Sequence, residues 1–438
     1  MKKLLYFVIT SLITIILFYS CDDSKLQPLD KKIENEHIDA SYLKTVNEFF
    51  NQIGATTRTP REVESILSIT TPTTRGEIGD TVLRLINYTN NGGFALMGTT
   101  QANDIYAISP EGNLTISDLI DHGPMHAYLM DCLCDAMYKI ENPQEIIMPS
   151  ESSSVYEVTD IIPDKLSTIV AYWTQYSPYN KFCGMSATGG YNEVGCVPLS
   201  TGMLLSYYQW PKGTNYPGTI GTDKYNFQWD NILSASTDPS VRLTQTAEML
   251  GYLRNTIFKS TTSEIYPGSG TSLMMMGAWY TKLGFKDERV FNGAPMKDNQ
   301  SKVYEYLKNG TTVNNQFCPA APVLVYGVND TVVVNDGPII KGHQWVIDGA
   351  VKRGIVWYIN GNRTVIPALQ TIYFRCVWGT RNRALTGYFR YINSSDYGDP
   401  KQYLPFQYSP SSPGAPVGDI EFVKPYTHWR VNGGLWQN

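Results

Sequence analysis

Long apolar runs are nearly absent from this 438-residue sequence. Beyond its first eighteen residues no stretch reaches the roughly 20 apolar positions that a membrane-spanning helix needs. The rest of the chain is therefore expected to be soluble. Excess positive charge is also missing. There are 35 Lys and Arg against 40 Asp and Glu, a formal net charge of −5, and nothing points to a nucleic-acid partner. Histidine is scarce, at five residues. Cys132 and Cys134 lack the C-x-x-C spacing and nearby His of a zinc site. The glycine-rich "YPGSGTS" at 266–272 lacks the Lys-Ser/Thr ending of a phosphate loop. Neither a metal nor an organic cofactor is implied. What is present is ordinary for a globular protein, with 42% hydrophobic and 17% charged residues. Thirty Tyr within a 12% aromatic share suggest strand-rich structure. The length allows about two or three domains.

The first residues read as a targeting segment. Met1-Lys2-Lys3 is charged, and residues 4–18 are apolar with Thr and Ser, too short to span a bilayer. Cys21 follows directly, which resembles a bacterial lipoprotein processing site where the cysteine is lipidated. The expectation is a lipoprotein-type signal peptide at 1–21 and a polar tether at 22–39. The protein would be exported, as a cell-surface or outer-membrane lipoprotein or secreted after processing. Exported proteins usually convert cysteines to disulfides. Cys132 and Cys134 are too close in sequence to bridge each other comfortably, so one or more free thiols are expected among Cys132, Cys134, Cys183, Cys196, Cys318 and Cys376.

Apolar residues recur at helical spacing over 42–53 and are followed by a polar stretch. Residues 82–88, 94–97 and 105–108 alternate with the turns "NNGG" and "SPEG" and predict an antiparallel meander. A helix is expected over 125–140. The Pro/Ser-containing segment that follows reads as a connector with a domain boundary near 150–160. Beyond it, helices are expected at 196–210, 241–254, 273–283 and 302–307. Strands are expected at 322–326, 345–348, 356–360 and 371–378. Helices first and strands later predict an α+β unit. The tail from 396 is rich in Pro, Ser, Tyr and Gly, with a last strand near 420–423.

The stretch "NEVGCVPLSTGMLLSYYQWP" places Cys196 at a helix start, with Pro198 in the first turn. The helix macrodipole there favours a thiolate. On position alone, a nucleophile and a core or disulfide cysteine both remain open. A cysteine nucleophile needs a base. His37, His122 and His126 precede the connector and His428 lies in the tail. His343 stands in "KGHQWVIDG" before a half-buried strand run, 147 residues after Cys196. That separation falls in the range of about 130–150 between thiol and imidazole in papain-like enzymes. A lone His before a strand also reads as a structural residue.

Five stretches occur in order: "WTQYSPYN" (173–180), "GCVPLSTGMLLSYYQWP" (195–211), "FQWDNIL" (227–233), "GHQWVIDG" (342–349) and "VWGTRNRALTGYFR" (377–390). Together they resemble the streptopain family of bacterial cysteine peptidases, a papain-like group. Upstream, residues 82–114 resemble that family's inhibitory propeptide. The resemblance implies a small α+β propeptide domain at 40–150, a connector at 151–165, a two-lobed papain-like α+β peptidase domain at 166–395 and a C-terminal tail at 396–438. It assigns Cys196 as nucleophile and His343 as base and later acid. Gln175 matches the side chain lining the oxyanion hole, and Trp378 the Trp beside the catalytic His. The implied partners are protein or peptide substrates and the chain's own propeptide as intramolecular inhibitor. Membrane contact would come only through the lipid on Cys21.

The pattern departs at Val377, where the family has an Asn that orients the imidazole. Asp348, five residues along the strand from His343, falls on the opposite face. Losing the orienting group of a Ser triad costs about 10⁴-fold in turnover. Two other functions therefore compete with a cysteine endopeptidase zymogen. One is a weakened or inactive homologue acting as a surface binding lipoprotein, and the other is a transglutaminase-like acyl-transfer enzyme on the same dyad.

Overall fold

The computed structural model describes residues 40–433 except 56–60, 72–78, 102, 121–122, 144–151, 187–188, 215–223, 259–281, 286–289, 335–336, 381–384, 394–405, 411–417 and 421–427. Of residues 152, 292, 328–341, 406–410, 418–420 and 428–433 the backbone alone is described. The expected signal peptide, tether and Cys21 lie outside these residues. So do the glycine-rich loop at 266–272 and all but the end of the helix expected at 273–283.

The helix Ala40–Gln52 buries Val46, Phe49 and Phe50, the stripe its sequence spacing predicts. Four strands follow as an antiparallel meander: β1 (Val63–Thr70), β2 (Thr81–Tyr88), β3 (Phe94–Gly98) and β4 (Ile105–Ser109). β1 was not expected, because its short "VESILSIT" run sits among Thr, Pro and Arg. The short helix Ile116–Ile120 leads to Pro124–Glu141, which is buried throughout 125–136. β5 (Ser152–Ile162) then occupies most of the segment expected as a connector. Its Ser-rich start hides a strand that a partner's backbone makes possible.

After the short helix Thr168–Ala171 comes the helix Cys196–Tyr208, then Trp229–Leu233 and Pro239–Tyr252, the last running into a π-helical turn at Leu253–Ile257. β6 (Phe291–Pro295) and the helix Gln300–Asn309 precede the hairpin of β7 (Thr311–Val313) and β8 (Gln316–Cys318). The long strands are β9 (Val323–Val334), β10 (Gly337–Ile359) and β11 (Asn362–Val377), followed by β12 (Gly387–Arg390). The strands expected at 345–348 and 356–360 are thus one strand of 23 residues. His343 lies within it rather than before it.

β10 organises the sheet. β9 pairs with Gly337–Ile347, β5 pairs with Ala350–Ile359 on the same side, and β11 runs along the other side. β12 joins β11 to β4 through Tyr388↔Ile108 and Phe389↔Ala107. The N-terminal meander and the later strands therefore form one 13-stranded sheet. The tail is more structured than expected. β13 (Phe406–Pro410) pairs with β1, β14 (Gly418–Ile420) with β13, and β15 (His428–Gly433) lies between β9 and β6. Each tail strand covers backbone that would otherwise be an open sheet edge.

Two cores flank the region around residue 345. On one face the Cys196 helix packs Leu199 and Met203 with Leu324, Val346 and Val377. On the other, Trp345, Ile347 and Trp378 meet Tyr128 and Leu129 of the Pro124–Glu141 helix. The six described cysteines are all free thiols.

Candidate active site

The Cys196 helix starts where it does because Gly195 supplies a backbone with φ of 89°, which side-chain-bearing residues rarely adopt. Cys196 is half-buried. Its thiol accepts from the backbone N–H groups of Cys196 and Val197 in the first turn, and from the N–H of Gln344 on β10. One turn on, Ser200 Oγ donates to the Cys196 carbonyl at 2.6 Å and accepts from Gln344 Nε2 at 2.7 Å. The helix start is thus fastened to the peptide bond between His343 and Gln344. Gln175 is held nearby in the chain path, since Val194 N–H donates to its carbonyl at 2.9 Å.

Strand alternation separates the two side chains that the resemblance pairs. Gln344 and Val346 face the Cys196 helix, so His343 and Trp345 face away. The His343 ring stacks on Trp345 and on Trp378, with centroids 6.2 Å apart in both cases. Its Nε2 donates to the Trp378 carbonyl at 2.8 Å. Because a carbonyl only accepts, this contact fixes the Nε2–H tautomer and leaves Nδ1 as the basic nitrogen. Among the described residues, no hydrogen bond joins the Cys196 thiol to the His343 ring.

The electrostatics match this separation. Burial pushes the Cys196 thiol up, and the three backbone N–H groups only partly oppose it. The helix-start argument foresaw the direction of those N–H groups but not the larger desolvation. Burial also lowers His343 to about 4, against the Trp378 carbonyl, which favours the charged ring. At neutral pH both groups are uncharged in this arrangement.

Val377 is fully buried among Leu199, Val346 and Leu324. The acceptor on the imidazole is the main-chain carbonyl of the next residue. Gly379 follows with φ of 66°, and a Cβ there would meet Leu199 Cδ2 at 2.5 Å, so the chain turns tightly over the Cys196 helix. Asp348 is committed elsewhere, as its place on the opposite face predicts. It pairs with Arg375 at 2.7 Å and accepts from Leu166 N–H at 3.0 Å. Trp378 is a core residue, stacked on Trp345 at 4.4 Å and edge-on to Phe389 at 5.3 Å.

Sequence reading missed Gln344 and Ser200, which carry no motif of their own. Their only signals are position, one after the His and one turn after the Cys. It also missed the ion cluster that joins the N-terminal meander region to β12. Arg390 pairs with Asp104 at 3.1 Å and with Asp135, and Lys139 bridges the same two carboxylates at 2.6 and 2.7 Å. Burial raises Asp135, but Arg390 and Lys139 together hold it down at about 2.

Residues 173–389 match the sequence model of the Peptidase C10 family, a span that holds the Cys196 helix, His343 and Trp378. The chain belongs to the peptidase C10 family. Its fold is α+β and papain-like. No curated protein matches the sequence. Among solved structures, a prointerpain A fragment from Prevotella intermedia aligns over 85% of this chain and 99% of its own, at 16% identity and a TM-score of 0.46. Active interpain A from the same organism aligns over 66% of this chain and 100% of its own, at 15% identity and a TM-score of 0.36. In this C10 chain the candidate nucleophile and base come from the two sides of one seam, the helix on one face of β10 and the imidazole on the other.

Proposed function

We propose that this C10 cysteine peptidase is an endopeptidase zymogen, with Cys196 as nucleophile and His343 as general base and acid. The observation that carries the reading is the contact of the Cys196 thiol with the Gln344 N–H, one residue from the only His in the C10 region. A change at His343 alone then completes the pair. The ring leaves the Trp345 face, and Nδ1 takes the thiol proton while Nε2–H keeps a backbone acceptor. Thiolate attack on a scissile carbonyl forms the acyl-enzyme. The Cys196 N–H and Gln175 hold the oxyanion; one such donor is worth about 10²–10³-fold in comparable sites. His343 protonates the leaving amine and then activates water.

The uncharged thiol and imidazole, on opposite faces of one strand, support latency of the full chain. Residues 40–150 act as the propeptide, and their helix Pro124–Glu141 packs Tyr128 against Trp378, the residue that holds His343. Cleavage to release them falls before β5, because β5 is hydrogen-bonded into β10 along its length and a protease needs an extended, unpaired segment. Export and lipidation at Cys21 belong to the same proposal, as does the action on protein or peptide substrates.

A casein and self-processing assay under reducing conditions tests the reading, run beside Cys196→Ala and His343→Ala. Loss of cleavage in both variants is expected. Equal cleavage by either variant and the parent removes the assignment. An unreactive but folded parent, after its propeptide is removed by an added protease, points instead to the binding homologue. Crosslinking of an added amine without cleavage points to acyl transfer.

A further inference from the structure

Apart from the Cys196 region, a cavity of about 630 Å³ opens between the propeptide-type unit and the C10 strands. Its walls come from both: Asn103, Asp135 and Ile140 on one side, Ile355, Leu369 and Thr371 on the other. Five charged side chains line it. Four of them are mutually neutralised, since Arg390 and Lys139 each pair with both Asp104 and Asp135. The fifth is Arg353, only 2% exposed.

Arg353 forms no ion pair among the described residues. Nη2 donates to Asn103 Oδ1 at 3.3 Å, the uncharged Tyr373 hydroxyl is a second acceptor for the guanidinium, and Nε has no acceptor. The rings of Phe49 and Tyr156 lie 4.9 and 5.2 Å from its guanidinium carbon, which offsets part of the desolvation but supplies no counter-charge. The Glu48 carboxylate acts on it only at longer range and pairs with Lys44. A buried charge without a partner is costly, and such groups in cavities mark ligand sites.

We propose that this cavity binds a monocarboxylate with an apolar body, and so bridges the propeptide-type unit to the C10 region. The charge count sets the anion. Two cations and two carboxylates cancel, and Arg353 leaves one positive charge over. A dianion such as phosphate would add unbalanced charge beside Asp104 and Asp135. The guanidinium fork suits a carboxylate, and Ile140, Ile355 and Leu369 offer apolar contact for the rest of the molecule. The carboxylate can belong to a small free acid or to a peptide C-terminus. Because it touches both units, its binding favours the uncleaved arrangement by mass action.

The test is isothermal titration of the intact full-length chain with 3-phenylpropionate at pH 7. It reads binding, so it stands or falls independently of peptidase activity. Saturable one-site binding is expected, weakened at least tenfold in Arg353→Met. Thr371 sits opposite Arg353 in the β10–β11 register, so Thr371→Trp fills the cavity while keeping the cation, and abolishes binding. The neutral amide of the probe does not bind, and inorganic phosphate does not compete. No saturable binding, equal binding of acid and amide, or competition by phosphate overturns the proposal. If Arg353→Met does not fold, Thr371→Trp decides, and binding retained there overturns it. An acetylated dipeptide with a free C-terminus, compared with its amide, separates the sources. Tighter binding than phenylpropionate assigns the site to peptide ends, and weaker binding to small acids.

Discussion

His343 donates through Nε2 to the main-chain carbonyl of Trp378 at 2.8 Å, next to the buried Val377, whose side chain has no acceptor to offer. The chain therefore has an orienting acceptor for its imidazole that no side-chain pattern can reveal. It also means that Val377 is free to serve the core beneath the Cys196 helix.

Restoring an amide at that position should not help. Val377 is fully buried among apolar groups, so Val377→Asn places a polar side chain where only carbon surrounds it. A destabilisation of about 1–3 kcal/mol is expected, with no gain in kcat/KM. Urea unfolding and peptidase kinetics check both parts; a more active variant of equal stability contradicts the carbonyl's role.

The thiol should be sluggish in the full chain. Burial raises Cys196, so little thiolate exists near pH 7. Iodoacetamide alkylation is expected to be at least tenfold slower before removal of residues 40–150 than after. Mass spectrometry of the Cys196 peptide measures it. Fast alkylation of the uncleaved chain would show that the latent arrangement is not the one in solution.

Acid should loosen the latent state in two separate windows. His343 falls from 6.5 in the unfolded chain to about 4 when buried, so between those values the unfolded chain binds a proton that the folded chain does not. Stability is complete above 6.5 and declines as pH drops toward 4, by about 3 kcal/mol. Asp135, held near 2 against an ordinary 3.8, adds a further loss only below 3.8. Unfolding midpoints from pH 7 to 3 should show the first step in the parent and not in His343→Gln. A first step that survives the substitution belongs to another group.

Breaking the buried ion cluster should loosen the N-terminal region at 40–150. Arg390→Met leaves Asp104 and Asp135 with Lys139 alone. Removing one member of a buried network costs about 3–5 kcal/mol. Limited proteolysis is expected to cut the variant's 40–150 region faster, with the C10 region surviving. Identical digestion of variant and parent would show that the cluster does not fasten the two.

The amino-acid order by itself determined the helix faces, the meander and the thiol at a helix start. Each depends on neighbours a few residues apart: apolar spacing around Phe49, asparagines at the β2–β3 turn, Gly195 and Pro198 bracketing the first turn of a helix. The five ordered stretches also determined the family. Tertiary structure decided what depends on partners far along the chain. It made a strand of the Ser-rich β5 by offering it the edge of β10, and it drew the tail into the sheet. It also decided the state of the site. Pleating turned His343 away from the Cys196 helix, burial outweighed the helix N–H groups at the thiol, and a backbone carbonyl took the place of an absent side chain. Those outcomes rest on desolvation and on which backbone groups meet, and neither is written in any local run of residues.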